Sequence, residues 1–196
     1  MDKRLFLGIF PDNPALDQIA EYQKRLVGIN EHRLVRWTKP ATWHVTMLFI
    51  GDFPTKGISQ LANELKTIGP LTPCFDYNIS GLGFFPSPTR PRVLWLGATP
   101  AERFARLHLE IRKAIRPFIK TTSETFKPHI TLGRIRPESD RDLVPLLLQK
   151  IDRLDPPPNI PQQATVVKLM ESQLTPAGSI YRTLDEIEFA AKSMLN

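Results

Sequence analysis

Apolar and polar positions alternate along much of this chain with a period of two, broken by shorter stretches of helical spacing. Residues 4 to 10, Arg-Leu-Phe-Leu-Gly-Ile-Phe, predict a buried strand. A helix capped by Asp12 or Asn13 follows, with Leu16, Ile19, Ala20, Gln23 and Val27 at helical spacing. A short strand over 33–37, a turn at Lys39-Pro40 and a strand over 43–50 closed by Gly51-Asp52 come next. Leu61, Leu65 and Ile68 then mark a second helix, ended by Gly69-Pro70. Strands over 75–82 and 92–97 are joined by a stiff, basic, turn-rich segment over 83–91. Gly81-x-Gly83 lacks a third glycine and opens no helix, so it reads as a tight hairpin turn rather than a phosphate loop. Helical spacing returns over 100–115, with Phe104, Leu107, His108 and Ile111 near one face, followed by a strand over 126–132. A short helix around 140–151 leads into the proline-rich stretch 155–161, read as a surface loop. Two strands, 165–174 and 181–189, close the pattern.

Strands outnumber helices and do not alternate regularly with them, which predicts an α+β fold with largely antiparallel sheets. Each half contains a helix, a turn and then a strand carrying His-x-Thr: Trp43-His44-Val45-Thr46-Met47 and Pro128-His129-Ile130-Thr131-Leu132. A pseudo-twofold arrangement would bring these two strands together across a cleft. Strand alternation puts His44 with Thr46, and His129 with Thr131, on one face. Val45, Met47, Ile130 and Leu132 then turn into the core.

Composition narrows the setting. The chain has 196 residues, 41% hydrophobic and 23% charged, which suits a folded globular protein. A formal charge of +6 favours an anionic partner, nucleic acid or a phosphorylated small molecule. The single cysteine, Cys74, excludes an internal disulfide framework and a cysteine-rich zinc module and fits a reducing cytoplasm. No apolar run approaches the ~20 residues of a membrane-spanning helix. A soluble, cytoplasmic monomer is the expectation.

Two imidazoles opposed across a cleft suit in-line displacement at phosphorus, which needs one group to take a proton and another to give one. An unperturbed pKa of ~6.5 allows either role near neutral pH. Thr46 and Thr131 could donate to the non-bridging oxygens, and Arg134 adds a planar cationic fork. Strict alternation would turn Arg134 away from Thr131, so the strand must end or twist for Arg134 to reach the same face. A lone histidine on a strand is more often structural than catalytic, and only the pairing lifts these two above that reading. Metal ligation lacks a His-Glu-x-x-His helix or nearby clustered carboxylates, and neither Ser123 nor Cys74 sits in an activated nucleophile setting. His32 and His108 have no companion threonine and read as surface or half-buried residues. Trp37, Trp43, Phe84 and Phe85 could stack on a base, but strand aromatics are usually core.

The chain resembles the RNA 2′,3′-cyclic phosphodiesterases, historically called 2′-5′ RNA ligases, of the 2H phosphoesterase superfamily. The resemblance rests on Arg4-Leu-Phe-Leu-Gly-Ile, Trp37 with His44-Val-Thr-Met-Leu-Phe-Ile-Gly51, Gly81-Leu-Gly-Phe-Phe-Pro86 and Arg90-Pro-Arg-Val-Leu-Trp-Leu-Gly97. It continues through Phe126-Lys-Pro-His-Ile-Thr-Leu-Gly-Arg134 and Leu169-Met-Glu-Ser-Gln-Leu with Gly178 and Tyr181. Met47 stands where leucine is usual, a volume-conserving change. The resemblance implies one bilobal domain over residues 1–196, with two antiparallel sheets, flanking helices and a central cleft. It also implies cofactor- and metal-independent hydrolysis of 2′,3′-cyclic phosphates on RNA 3′ ends or small cyclic nucleotides, leaving a 2′-phosphate. His44 would be the proton donor, His129 the proton acceptor, and Thr46, Thr131 and Arg134 would hold the phosphate. Two alternatives stay open: 2′-5′ ligation by the same site, and a non-catalytic RNA- or nucleotide-binding domain.

Overall fold

The structure is a computed structural model and describes residues 2–119, 126–176 and 178–191. Nine strands and four α-helices follow one another as β1 (Asp2–Ile9), α1 (Asn13–Gly28), β2 (Val35–Trp37), β3 (Val45–Pro54), α2 (Ile58–Lys66), β4 (Phe75–Phe85), β5 (Val93–Thr99), α3 (Ala101–Ile115), β6 (His129–Ile135), α4 (Val144–Ile151), β7 (Ile160–Ala164), β8 (Val166–Thr175) and β9 (Gly178–Glu188). The strands pair in the order β7-β4-β5-β6-β3-β1-β8-β9, and β2 adds to the far end of β6. All of these pairings are antiparallel. The sheet has two halves, β3-β1-β8-β9 and β6-β5-β4-β7, and among the described residues the only register pair that joins β3 to β6 is Val45 opposite Ile130. The halves are therefore interleaved in sequence: C-terminal β8 and β9 complete the half begun by β1 and β3. The expected α+β, pseudo-twofold fold is the one observed, with its two sheets meeting at that single pair to form one curled surface.

Alternation sorts the two faces as the sequence predicts. Val45, Met47, Ile130 and Leu132 are 0% exposed and pack in one core with Leu5, Leu7, Ile19, Phe104 and Ile111. α1 and α3 cover this core face, leaving the His-x-Thr face free of them. Several expected boundaries shift for physical reasons. The buried stripe of α1 is Ala15, Ile19, Tyr22 and Leu26, one residue round from the expected set, and Val27 is 46% exposed. Asp12 is the cap, its side chain accepting from the Ala15 amide at 2.8 Å. β3 runs through Gly51, which takes a positive φ of 82°, instead of stopping there. The stretch expected to be loop up to Pro161 becomes β7 from Ile160. Its proline is tolerated because β7 is an edge strand, paired only with β4.

Gly81 and Gly83 lie inside β4 and not in a hairpin turn, correcting that expectation. Gly81 is the extra residue where β4 slips its register against β5. At Gly83 a Cβ would come within 2.1 Å of the Trp95 ring, so glycine there lets the indole lie flat across β4. Among the described residues no helix is long and apolar enough to cross a membrane.

Candidate active site

His44 directly precedes Val45, and His129 directly precedes Ile130, the pair that joins the two halves. Continuing that antiparallel register one residue either way sets His44 against Thr131 and Thr46 against His129. The four side chains thus gather on the open face of the sheet around one crossing point, all of them half-buried.

Both imidazoles are oriented by the same device. Nδ1 of His44 donates to the Thr42 carbonyl at 2.7 Å, and Nδ1 of His129 donates to the Lys127 carbonyl at 2.7 Å. A carbonyl can only accept, so the proton sits on Nδ1 of a neutral ring and Nε2 carries the free lone pair. At His44 that lone pair meets Thr46, whose hydroxyl lies 2.9 Å from Nε2.

Arg134 reaches this face because β6 carries an extra residue. Thr131 pairs with Trp95 and Gly133 with Leu94, so Leu132 is a bulge, and Arg134 falls opposite Val93. Trp95 and Val93 share a face, so Thr131 and Arg134 do too; the bulge inverts the alternation that would have turned Arg134 away. β3 carries a bulge at the equivalent place. Thr46 pairs with Gly8 and Leu48 with Leu7, leaving Met47 as the extra residue, so Phe49 opposite Phe6 is the counterpart of Arg134.

Each bulge carbonyl is capped from the helix layer. Nδ1 of His108, on α3, donates to the Met47 carbonyl at 2.6 Å, and His108 stacks on Phe126 at 4.4 Å. Nε2 of Gln23, on α1, donates to the Leu132 carbonyl at 2.9 Å, which also accepts from the Thr38 amide at 2.9 Å. His108 is therefore buried in a structural role, not on the surface, whereas His32 is exposed. Gln23, expected on an apolar stripe, is a polar cap.

The surroundings of the two imidazoles differ. His44 is boxed by Phe6 at 4.7 Å, Phe10 at 5.2 Å and the edge of Tyr181 at 5.4 Å. Gly8 leaves room for it, since a Cβ there would stand 3.0 Å from its Cδ2. Burial in this box lowers the His44 pKa to about 4, opposed by the Thr42 hydrogen bond and aided by a positive His129. His129 meets Phe85 edge-on at 4.8 Å and Trp95 at 5.9 Å. Its pKa is also lowered, mainly by burial, with further contributions from Arg134 and Lys127. The Lys127 ammonium sits 4.4 Å from the Trp95 ring centre, a cation–π contact. Of the aromatics considered for stacking, Trp43 is core, donating its indole proton to the Thr38 hydroxyl at 2.9 Å, while Phe85 lines the site.

Phe6, Phe10, Trp95 and Lys127 are site neighbours that sequence reasoning did not single out, and Tyr181 entered only as part of the family resemblance. Of the first four, Lys127 left a local signal, standing two residues before His129. Ser123 lies outside the described residues. Among those described, no three His, Cys, Asp or Glu side chains group as metal ligands.

Two copies of one family model, the LigT like Phosphoesterase, match residues 9–95 and 96–181, a division that places one His-x-Thr segment in each copy. The chain belongs to this family, within the 2H phosphoesterase superfamily. Among its curated relatives, a Thermotoga maritima protein named RNA 2′,3′-cyclic phosphodiesterase is 31% identical over 89% of this chain and 93% of its own length. One from Aquifex aeolicus with the same name is 30% identical over 93% of this chain and 95% of its own. The fold is also that of a solved Thermus thermophilus protein, with a TM-score of 0.79, 24% identity and coverage of 96% of this chain and 98% of that one. Escherichia coli LigT, solved with 3′-AMP, superposes with a TM-score of 0.75 at 22% identity over 96% of this chain and 99% of its own. The relatives' shared name is that of a hydrolase, so the LigT-like assignment places this chain among phosphodiester-cleaving enzymes.

Proposed function

We propose that this LigT-like protein hydrolyses 2′,3′-cyclic phosphates on RNA 3′ ends or small cyclic nucleotides, using His44 and His129 as an acid–base pair without a metal. The observation that carries the reading is the shared orientation of the two imidazoles, each with Nδ1 tied to a carbonyl and Nε2 turned to the face they share, where that of His44 meets the Thr46 hydroxyl. His129 takes a proton from water as its oxygen attacks phosphorus. The bond from phosphorus to O3′ breaks, and His44 gives that oxygen a proton, leaving a 2′-phosphate and a free 3′-hydroxyl. Thr46, Thr131 and Arg134 hold the non-bridging oxygens as their charge grows. The two halves work as one bilobal unit over residues 1–196.

The different surroundings support this division of roles. Burial chiefly holds His129 neutral and fit to act as base, and the charges of Arg134 and Lys127 add to it. His44 is also held neutral chiefly by burial, with an aromatic box in place of those two cations. An anionic phosphate brought against it reverses that balance and draws a proton onto Nε2.

The test is hydrolysis of a nucleoside 2′,3′-cyclic phosphate in excess EDTA, with the product resolved by phosphorus NMR. Sustained turnover to the 2′-phosphate is expected. Loss of activity with the chelator, or a 3′-phosphate product, would overturn the mechanism.

A further inference from the structure

Arg36 lies on β2 directly opposite Arg134 on β6, between the pairs Val35–Ile135 and Trp37–Gly133. Directly opposed residues of an antiparallel pair share a face and bring their Cβ atoms within about 5 Å of each other. Since the Leu132 bulge turns Arg134 toward the His-x-Thr face, Arg36 stands on that face as well, one strand further out. Both side chains are exposed, and among the described residues neither guanidinium has a carboxylate partner. The next arginine in sequence, Arg136, is instead paired with Glu138 at 3.6 Å.

Two like charges set across a ladder disfavour the fold, and a local cost of this kind is kept where an anion relieves it. If a cyclic phosphate lies between His44 and His129, O2′ and O3′ of the terminal nucleoside are both occupied by it. The rest of an RNA chain can leave only through O5′, and the next negative charge is the phosphodiester on that oxygen. Guanidinium is matched in geometry to such a group.

Resting on the phosphodiesterase reading, we propose that Arg36 binds the phosphodiester on the 5′ side of the terminal nucleotide and so biases the enzyme toward RNA oligomers over mononucleotides. Arg134 serves the reacting phosphate and Arg36 the one that follows it.

The test compares kcat/KM for a nucleoside 2′,3′-cyclic phosphate and for a trinucleotide ending in the same group, in the wild type, Arg36→Ala and Arg36→Lys, at two salt concentrations. In Arg36→Ala the oligomer-to-mononucleotide ratio is expected to fall about tenfold at low salt, mainly through KM, and Arg36→Lys restores most of it. The slope of log kcat/KM for the oligomer against log salt becomes shallower by roughly 0.7, the value for one single-strand phosphate contact. The melting temperature of Arg36→Ala stays level or rises, because a like-charge neighbour has gone. A ratio unchanged within twofold, or a loss tracking a lowered melting temperature, overturns the role of Arg36 alone. A wild type inert on both substrates overturns the phosphodiesterase reading itself, and this inference with it.

Discussion

His44 and His129 occupy equivalent places in two halves of one sheet, each held by a hydrogen bond to the carbonyl two residues before it and each followed by Thr and then a bulge. Around this shared frame the fillings diverge. The first half surrounds its imidazole with Phe6, Phe10 and Tyr181 and sets Phe49 in the slot after the bulge. The second half supplies Lys127 and, in the matching slot, Arg134. Backbone geometry therefore provides two equivalently oriented imidazoles, and the proposed division into acid and base rests on the side chains beyond them. The near-symmetry lies in the frame, the asymmetry in its charge.

That comparison is broken most directly by removing one imidazole at a time. His44→Ala and His129→Ala are each expected to lower kcat/KM for a 2′,3′-cyclic nucleotide by about 10²- to 10⁴-fold, measured in steady state with circular dichroism to confirm folding. Near-normal turnover in either variant would mean that the halves are not functional equivalents.

Next in size is a pH effect confined to the first half. A folded pKa near 4 against an unfolded value of 6.5 means that the unfolded chain binds the His44 proton first. Stability is then fully present above pH 6.5 and falls as pH drops toward 4, by about 3 kcal/mol at ~1.36 kcal/mol per unit. Urea titrations of wild type and His44→Ala across this range should show a shallower loss in the variant, and equal slopes would remove the buried-imidazole argument. The same logic gives a binding signature: at pH 7 a 2′-phosphate product should take up close to one proton as it docks, read by calorimetry in buffers of different ionisation enthalpy.

The post-bulge slots come next. Arg134→Ala should cost about 10- to 100-fold in kcat/KM, as expected for a charge-assisted contact to phosphate. Phe49→Ala, at a position 66% exposed, should cost no more than about threefold. Equal losses on a small cyclic nucleotide would show that the two slots do the same work. The smallest difference is expected at the caps. His108→Phe withdraws a buried donor from the Met47 carbonyl and should cost about 2 kcal/mol by urea denaturation. Gln23→Leu should cost about half as much, since the Leu132 carbonyl keeps the Thr38 amide.

Period-two reading of the sequence was enough to find both imidazoles, both threonines and the core residues between them, because those positions precede any irregularity. At β6 it could say only that the strand must end or twist before Arg134: nothing in Thr-Leu-Gly-Arg announces an extra residue, since a bulge is defined by its partner strand, here Leu94 and Trp95. β7 was hidden because Ile-Pro-Gln-Gln-Ala carries little strand character and depends on β4 for its hydrogen bonds. The burial of His108 was missed for a related reason. Its partner is a main-chain carbonyl, Met47, which leaves no mark in the sequence of either segment. The aromatic box on His44 draws on β1 and β9, strands separated by most of the chain.

The paired bulges also govern how such a chain can change over generations. Adding or removing one residue just after either His-x-Thr would exchange the core set for the exposed set along the rest of that strand, so insertions and deletions are barred there. Single substitutions at 49 and 134 disturb neither set. The spacing from histidine to slot is thus five positions in both halves, and a change of the slot's occupant leaves the frame intact even where it costs activity.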